Sequence, residues 1–516
     1  MKSPTDGGWK TGLAFTLDLL ILLELVVIVF VVSGGEFYFE WASVRGLRNP
    51  VAGLAVISLV RLLVRRPFLV GQHGLVVLLD LLILGEFVAI LLVIFLGDVD
   101  IGGVVVRDLT PLIIALTGMS LVRLAIRRPF LLAKAWGTGA LRDAVFVFLV
   151  TRVAVVAVAF VSNLMFPRRT PRPWDLPFRH EVFADIFTVN DSGWYFSIAQ
   201  LGYSPSLESQ SNMAFFPLYP MLMRAVGWVG GGTDRAIWGA GILIAFVAFF
   251  AALVVLHRFT ERVFGDRKVA RRTILYLAVF PYSFFFTAVY AESLFLLLTL
   301  LSIDAAHRSR WMSAGIWGGL AALTRPYGIL LVIPLALFAV AGQPAVRQYA
   351  WRGLAVSLVP ACLGGWCLFN YSLTGDPLAW LHVNAQWGYA IGQVPGQRLL
   401  LMISMIRQEG LYDFFFWSYF AAFELLNAAT GVLFLVLTPW VAKRLGLPFA
   451  LYVVATLLVP FTGNQLESIG RYAAVLFPVF MVAGSFKSAR LHEAVVIVSA
   501  LFLALLVGLF VNWYPV

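Results

Sequence analysis

The sequence predicts an all-α polytopic membrane protein with about fifteen transmembrane helices. Three observations carry this expectation. Apolar runs of bilayer-spanning length recur from one end of the chain to the other. Of 516 residues, 61% are hydrophobic and only 13% are charged, and the mean hydropathy is +0.89, a balance that soluble domains do not reach. Lys and Arg fall in short clusters between the apolar runs, so the net charge of +11 reads as the positive-inside pattern of cytoplasmic loops. Nucleic acid is accordingly not expected as a partner. Cys362 and Cys367 lie in one predicted span without CxxC spacing, and the six histidines are scattered without ligand spacing. Neither a disulfide framework nor a metal site is readable.

Taken in order, the chain opens on MKSPTDGGWK and an apolar run too long for a signal-peptide core, which reads as a retained first span with a cytoplasmic N-terminus. An internal duplication follows. LDLLILLELVVIVFVV at 17–32 recurs as LDLLILGEFVAILLVI at 79–94, and SLVRLLVRRPFLV at 58–70 recurs as SLVRLAIRRPFLL at 120–132, both at an offset of 62 residues. Each copy is a long span, a short exoplasmic link, a shorter span and an Arg-Arg-Pro exit. Residues 1–136 are therefore expected to form a four-span accessory module, suited to partner binding or self-association. Both copies point the same way, unlike the inverted repeats of many transporters. Asp18, Glu24, Asp80 and Glu86 sit inside the long spans, where they can pair with Arg61 and Arg123 as helix-to-helix glue or mark an ion path.

Residues 137–516 are expected to form the second domain. Its spans are placed near 141–164, 236–256, 272–289, 292–306, 311–324, 327–342, 353–371, 416–439, 446–461, 472–486 and 491–512. The basic clusters at Arg258 to Arg272, Arg308 and Arg310, Arg347 and Arg352, Lys443 and Arg444, and Lys487 and Arg490 then fall inside. On the opposite, exoplasmic side stands NDSGWYFSIAQLGYSPSLESQSNMAFFPLYP at 190–220, a long polar interruption. Asp191 precedes a short apolar-periodic segment from Trp194 to Leu201 closed by Gly202, so it reads either as a helix N-cap or as a functional acid. The Tyr290 to Glu292 turn, Arg325, Asp376 with His382, and Glu467 with Arg471 all fall at the same side. Glu292 and Arg325 each sit hard against an apolar run, which points to a polar cavity at the membrane boundary.

The runs DSGWYFSIAQLGY with FFPLYPMLMR, FPYSFFFTAVYAESLF, ALTRPYG, GDPLAWLHVNAQWG and SIGRYAAVLFPVF stand in this order between Arg152 and Pro478. Together they resemble the GPI mannosyltransferase II (PIG-V-like) group of GT-C glycosyltransferases, in its prokaryotic branch. The resemblance implies a GT-C-like core of about eleven helices. It also implies a multi-pass enzyme of the cell membrane that transfers a sugar, usually mannose, from a polyprenyl-phosphate donor on the exoplasmic face. The first-loop acid of the family falls on Asp191. Where the family commonly has Trp before that acid, this chain has Asn190.

An inverting transfer from a lipid phosphate asks for a carboxylate to take the acceptor proton and for cations to receive the departing phosphate. Asp191 is the expected base. Arg325 and Arg471 offer planar forks for phosphate oxygens, and Glu292 would orient the sugar or hold Arg325. Tyr290, Tyr472 and His382 join the expected substrate-binding set. Trp194, Tyr195, Tyr219 and Trp387 would stack on pyranose faces or touch the prenyl chain, unless they belong to the interfacial aromatic belt. No cofactor or metal is expected, the donor being a substrate. The partners are the bilayer, the lipid-phosphate sugar and an acceptor that is a glycan, a glycolipid or a protein. A lipid or sugar transporter or flippase is the alternative class, for which an inverted repeat would be the sign.

Overall fold

The computed structural model describes residues 139–166, 186–207, 209–342, 345–389, 392–417 and 419–514, together with four short strands nearer the N-terminus. The chain divides into two compact units, Met1–Gly139 and Ala140–Val516. In the first, β1 (Phe37–Phe39) pairs antiparallel with β2 (Ala42–Val44), Phe37 opposite Val44. β3 (Val99–Ile101) pairs with β4 (Val104–Val106) in the same register, Val99 opposite Val106. The second hairpin stands 62 residues after the first, where the sequence suggested only a short link; the aromatic and β-branched residues there suit strands. The four expected spans, with Asp18, Glu24, Arg61, Asp80, Glu86 and Arg123, lie outside the described residues.

In the second unit the regular secondary structure among the described residues is all helical. Its helices are α1 (Gly139–Met165), α2 (Ser192–Leu201), α3 (Leu218–Val229), α4 (Asp234–Phe264), α5 (Arg267–Val279), α6 (Glu292–His307), α7 (Trp311–Ala322), α8 (Val332–Val340), α9 (Val346–Thr374), α10 (Ala379–His382), α11 (Gln397–Glu409), α12 (Leu411–Trp417), α13 (Tyr419–Leu445), α14 (Leu447–Phe461), α15 (Ile469–Ala474), α16 (Phe477–Gly484) and α17 (Ala489–Val511). Five are long and apolar enough to cross a membrane: α1, α4, α9, α17 and the 422–445 part of α13. The 326–340 and 447–461 segments are shorter apolar helices. α4 is the central post. Thr233 caps it by accepting from the Ala236 amide at 3.2 Å, and Gly265 ends it in the left-handed region at φ 65°. Along its length Trp238 stacks on Phe196 of α2 (4.5 Å, 7°) and Phe249 stacks on Phe286 (4.7 Å, 10°).

Two expected spans are broken. The run 272–289 stays helical only to Val279, because Phe280, preceding Pro281, turns extended at ψ 139°. The chain continues as a 3₁₀ turn, Ser283–Phe286, before α6 starts. Similarly 472–486 is divided into α15 and α16 ahead of Pro478. A broken helix in a membrane protein must satisfy its freed carbonyls internally. Here Arg152, the charged residue midway along α1, does so. Buried at 2% exposure, it donates to the carbonyls of Ala278 (2.7 Å) and Ser283 (2.9 Å) and to Thr287 Oγ1 (2.8 Å). The sequence also gave no warning of α3, α11 and α12, which lack span-length apolar runs.

α7 presents Gly315 and Gly319 to α9, a small-xxx-small face of the kind that lets membrane helices approach closely. A Cβ on Gly315 would lie 2.0 Å from the Ala355 carbonyl oxygen, and one on Gly319 would lie 2.6 Å from Cys362 Sγ. This contact fixes α7, whose C-terminal end delivers Arg325. Gly315→Ala should therefore destabilise the protein by about 1 to 3 kcal/mol through overpacking. Gly364→Ala on α9, where a Cβ meets nothing within 4 Å, should hold stability or raise it by up to about 1 kcal/mol, Ala being the better helix former. Thermal unfolding of both variants in one detergent checks this, and equal melting temperatures would show that the contact does not hold α7.

Candidate active site

Four helix ends meet around a chain of alternating charges. The buried stretch Ile186 to Val189 leads in, with the Val289 amide donating to the Phe187 carbonyl at 2.9 Å. Asn190 then takes φ 54°, a left-handed conformation that Asn accepts more readily than most residues. Asp191 follows at the N-cap position of α2, yet its side chain makes no capping hydrogen bond. Its amide donates instead to the Tyr290 hydroxyl at 3.1 Å, and its Oδ2 accepts from Arg471 Nη1 at 2.7 Å.

Glu292 is the first residue of α6 and is 0% exposed. Its position at a helix N-terminus favours a negative charge. Oε1 accepts from both Arg325 Nη1 and Arg471 Nε, while Oε2 is buried without a hydrogen-bond partner among the described residues. Arg325, 8% exposed, leaves the end of α7 in extended conformation at φ −154°, with Pro326 starting the next 3₁₀ turn. Gly328 folds this turn back on α7: a Cβ there would lie 2.4 Å from the Ala322 nitrogen. Arg471 is set by Gly470, which lies flat on the Tyr282 ring and donates its amide to Asn427 Oδ1 at 2.8 Å.

Aromatic rings back the cations. Arg471 sits 4.6 Å over Tyr290 and 5.2 Å over Phe285, and Arg325 sits 5.4 Å over Tyr472. The run Asp191, Arg471, Glu292, Arg325 thus alternates in sign and sums to zero formal charge. Such an array can hold an anion at its arginines and offer a carboxylate to a hydroxyl, provided the Asp191 to Arg471 contact yields to the ligand.

The remaining expected residues are distributed unevenly around this array. Tyr195 stands edge-on to Tyr219 (5.1 Å) and Tyr290 (6.2 Å). Tyr219 is wholly buried and its hydroxyl donates to the Gly241 carbonyl at 2.9 Å, so it supports α4 from behind. Trp194 meets Trp387 edge-on at 5.0 Å and stacks with Phe215 at 6.1 Å, making an aromatic wall. His382, by contrast, is the exposed last residue of α10, pairs with Asp376 at 2.6 Å and makes no described contact with the four charges. The imidazole beside it holds the Asp376 carboxyl below its usual range. Among the described residues, no group of three or more His, Cys, Asp or Glu side chains is placed to hold a metal ion.

Sequence reasoning missed a neighbouring cluster. Arg398 of α11 grips Glu424 of α13 with two bonds, Nε to Oε1 at 2.8 Å and Nη2 to Oε2 at 2.6 Å. Tyr389 donates to Glu467 Oε2 at 3.4 Å. The signal was available in Glu424, an acid beside an apolar run, which is costly unless paired.

Residues 179–341 match the family model described as Mannosyltransferase (PIG-V). GPI mannosyltransferase 2 of Yarrowia lipolytica is 28% identical over 225 residues, 44% of this chain and 60% of that protein. GPI mannosyltransferase 2 of Drosophila melanogaster is 25% identical over 164 residues, 28% of this chain and 36% of that protein. The chain thus spans less than two thirds of the length of these relatives. Among solved structures, the Archaeoglobus fulgidus oligosaccharyltransferase tethered to an acceptor peptide aligns with 70% of this chain and 55% of its own, at 14% identity and a TM-score of 0.41. The matched segment 179–341 includes Asp191, Glu292 and Arg325, whereas Arg471 lies beyond it. By family model and by curated relatives, the family that this chain resembles is the PIG-V mannosyltransferases.

Proposed function

We propose that the protein is a GT-C-type membrane glycosyltransferase that moves mannose from a polyprenyl-phosphate donor to an acceptor hydroxyl on the exoplasmic face. The observation that carries the reading is the state of Asp191. An acid at an N-cap position that makes no capping bond, and instead shares an arginine with a buried glutamate, is held for something other than the helix.

In this reading the donor phosphate docks on the guanidinium groups of Arg325 and Arg471 and takes over part of the bonding that Arg471 gives Asp191. Asp191, released toward the acceptor, accepts the hydroxyl proton as the acceptor oxygen attacks the anomeric carbon. The bond from that carbon to the phosphate oxygen breaks on the opposite side. Configuration inverts in the single step, and the electron pair leaves on a phosphate that the arginines stabilise. Glu292 does not react; it keeps both arginines in place and offsets their charge.

The exoplasmic assignment is supported by charge. α6 begins at Glu292 in the site and ends beside Arg308 and Arg310; α4 begins at Asp234, bonded to Gln200 of α2 at 2.5 Å, and ends beside Arg262 and Arg267. The site and the basic loops therefore occupy opposite ends of these helices, and basic loops stay cytoplasmic. A reporter fused after Lys268 should be cytoplasmic and one fused after Ser209 exoplasmic; finding both on one side would contradict the orientation.

Two substitutions separate the proposed roles. Asp191→Asn keeps shape and N-cap competence but loses the base, so transfer should fall roughly 100- to 10,000-fold with little change in donor affinity. Arg325→Ala should weaken donor binding by about 10- to 100-fold, the loss of one charged hydrogen bond, while Glu292 keeps Arg471 as its partner. Turnover and donor affinity, measured on variants that elute from size exclusion like the parent, check both. Near-normal turnover in Asp191→Asn would remove Asp191 as the base.

A further inference from the structure

Several arginines at the basic ends of the helices are answered by acids. Arg262 and Arg308 share Asp304, and Arg267 is held by Asp143 at 2.9 Å. Two others are not. Arg272 of α5 and Arg444 of α13 both reach the turn between α16 and α17, Arg272 Nη1 donating to the Phe486 carbonyl at 2.9 Å and Arg444 Nη1 to Ser485 Oγ. The Arg444 guanidinium also lies 5.1 Å over the Phe486 ring. Among the described residues neither guanidinium meets a carboxylate. Each spends one of the five N–H donors that a guanidinium carries, and spends it on a neutral oxygen.

The turn that gathers them is fixed in place. Gly484 lies so close on α5 that a Cβ would stand 2.7 Å from Thr273 Oγ1. The Tyr276 hydroxyl meets His492 Nδ1 of α17 at 2.9 Å, and Ser488 caps α17 by accepting from the Leu491 amide at 3.2 Å. Lys487 and Arg490, both exposed, stand on either side of that cap. Asp266 spends its carboxylate capping α5 at the Lys268 amide, 2.7 Å away, and the acid of α17 is Glu493 alone. Like charges held together in this way favour an anion among them.

The flanking helices decide which anion. On α13, Leu433, Val436, Trp440 and Arg444 follow at spacings of three or four and are all exposed, so one apolar stripe ends in the arginine. On α17, Arg490, Ala494, Ile497 and Leu501 repeat the pattern from the same end. Both helices are long and apolar enough to cross a membrane. Stripes of this kind face acyl chains, and the arginines that end them reach the headgroup layer. A soluble anion would use the cations and leave the stripes idle.

We propose that the α16–α17 turn, with Arg272, Arg444, Lys487 and Arg490, binds the headgroup phosphate of an anionic phospholipid whose chains lie along the stripes of α13 and α17. In the orientation argued above, this lipid belongs to the cytoplasmic leaflet, where a basic recess between membrane helices suits an anionic headgroup.

The test is native mass spectrometry of the purified full-length protein in a neutral detergent, titrated with dioleoyl phosphatidylglycerol or dioleoyl phosphatidylcholine. The first phosphatidylglycerol should bind about 10- to 30-fold tighter than phosphatidylcholine, two cations at about fivefold each. Arg444→Gln, which can still donate to Ser485, should lose about fivefold of that preference. The double variant Lys487→Gln/Arg490→Gln changes exposed side chains only and should also lose it, so a folding defect in Arg444→Gln cannot decide the outcome. Arg310→Gln, on the α6–α7 loop, should keep the parent's preference. Equal binding of the two lipids, or an equal loss in Arg310→Gln, overturns the site. Full displacement of phosphatidylglycerol by millimolar inorganic phosphate overturns the lipid assignment in favour of a soluble anion. None of these outcomes bears on the donor assignment.

Discussion

The site depends on one carboxylate, Glu292, which is fully buried and shared by two arginines from distant parts of the chain. Taking a carboxylate out of water is costly, and removing one partner of a buried pair costs about 3 to 5 kcal/mol. That cost is what ties the elements together. α6 supplies the acid at its first residue, α7 ends on Arg325, α15 supplies Arg471, and Arg471 reaches on to Asp191 at the start of α2. Remove the acid and two guanidinium groups remain inside the fold, 8% exposed in the case of Arg325, with only Asp191 to answer them.

Bringing helix ends together at one place requires helices that stop inside the fold, and the backbone devices serve that requirement. Pro281 ends α5 early, and Arg152 from α1 fills the hydrogen-bonding gap, so the chain can turn through Ser283–Phe286 and start α6 at Glu292. Asn190 accepts a left-handed backbone that presents Asp191. Gly470 accepts the face of Tyr282, where any Cβ would lie within 2.2 to 2.4 Å of the ring. Each device exchanges local regularity for position, a pattern common at functional sites.

Much of this was legible in the sequence because a membrane makes charge conspicuous. Each of the eleven spans read between 141 and 512 contains helix in the structure. Asp191, Glu292, Arg325 and Arg471 stood out because each interrupts or abuts an apolar run, and the structure brings all four into one array. What hydropathy could not register is where a run bends: Phe280 and Pro281 lie in a stretch apolar enough to pass as one span. Nor does it register tertiary pairing. His382 looked equivalent to Arg471 as a polar residue at a span end, yet it sits exposed at the end of α10 and pairs with Asp376. Tyr389 and Arg398 gained meaning only from Glu467 and Glu424, tens of residues away in sequence.

The central claim is a single displacement at a lipid-phosphate sugar, and the stereochemistry of the product tests it most directly. Purified full-length protein would be incubated with polyprenyl-phosphate mannose of one defined anomeric configuration and with glycan, glycolipid and Ser/Thr-peptide acceptors. Mass spectrometry would find the mannosylated product and NMR would assign its anomeric centre. The account predicts a mannosyl product of inverted configuration. A product of retained configuration, or a donor left intact with every acceptor, would contradict it.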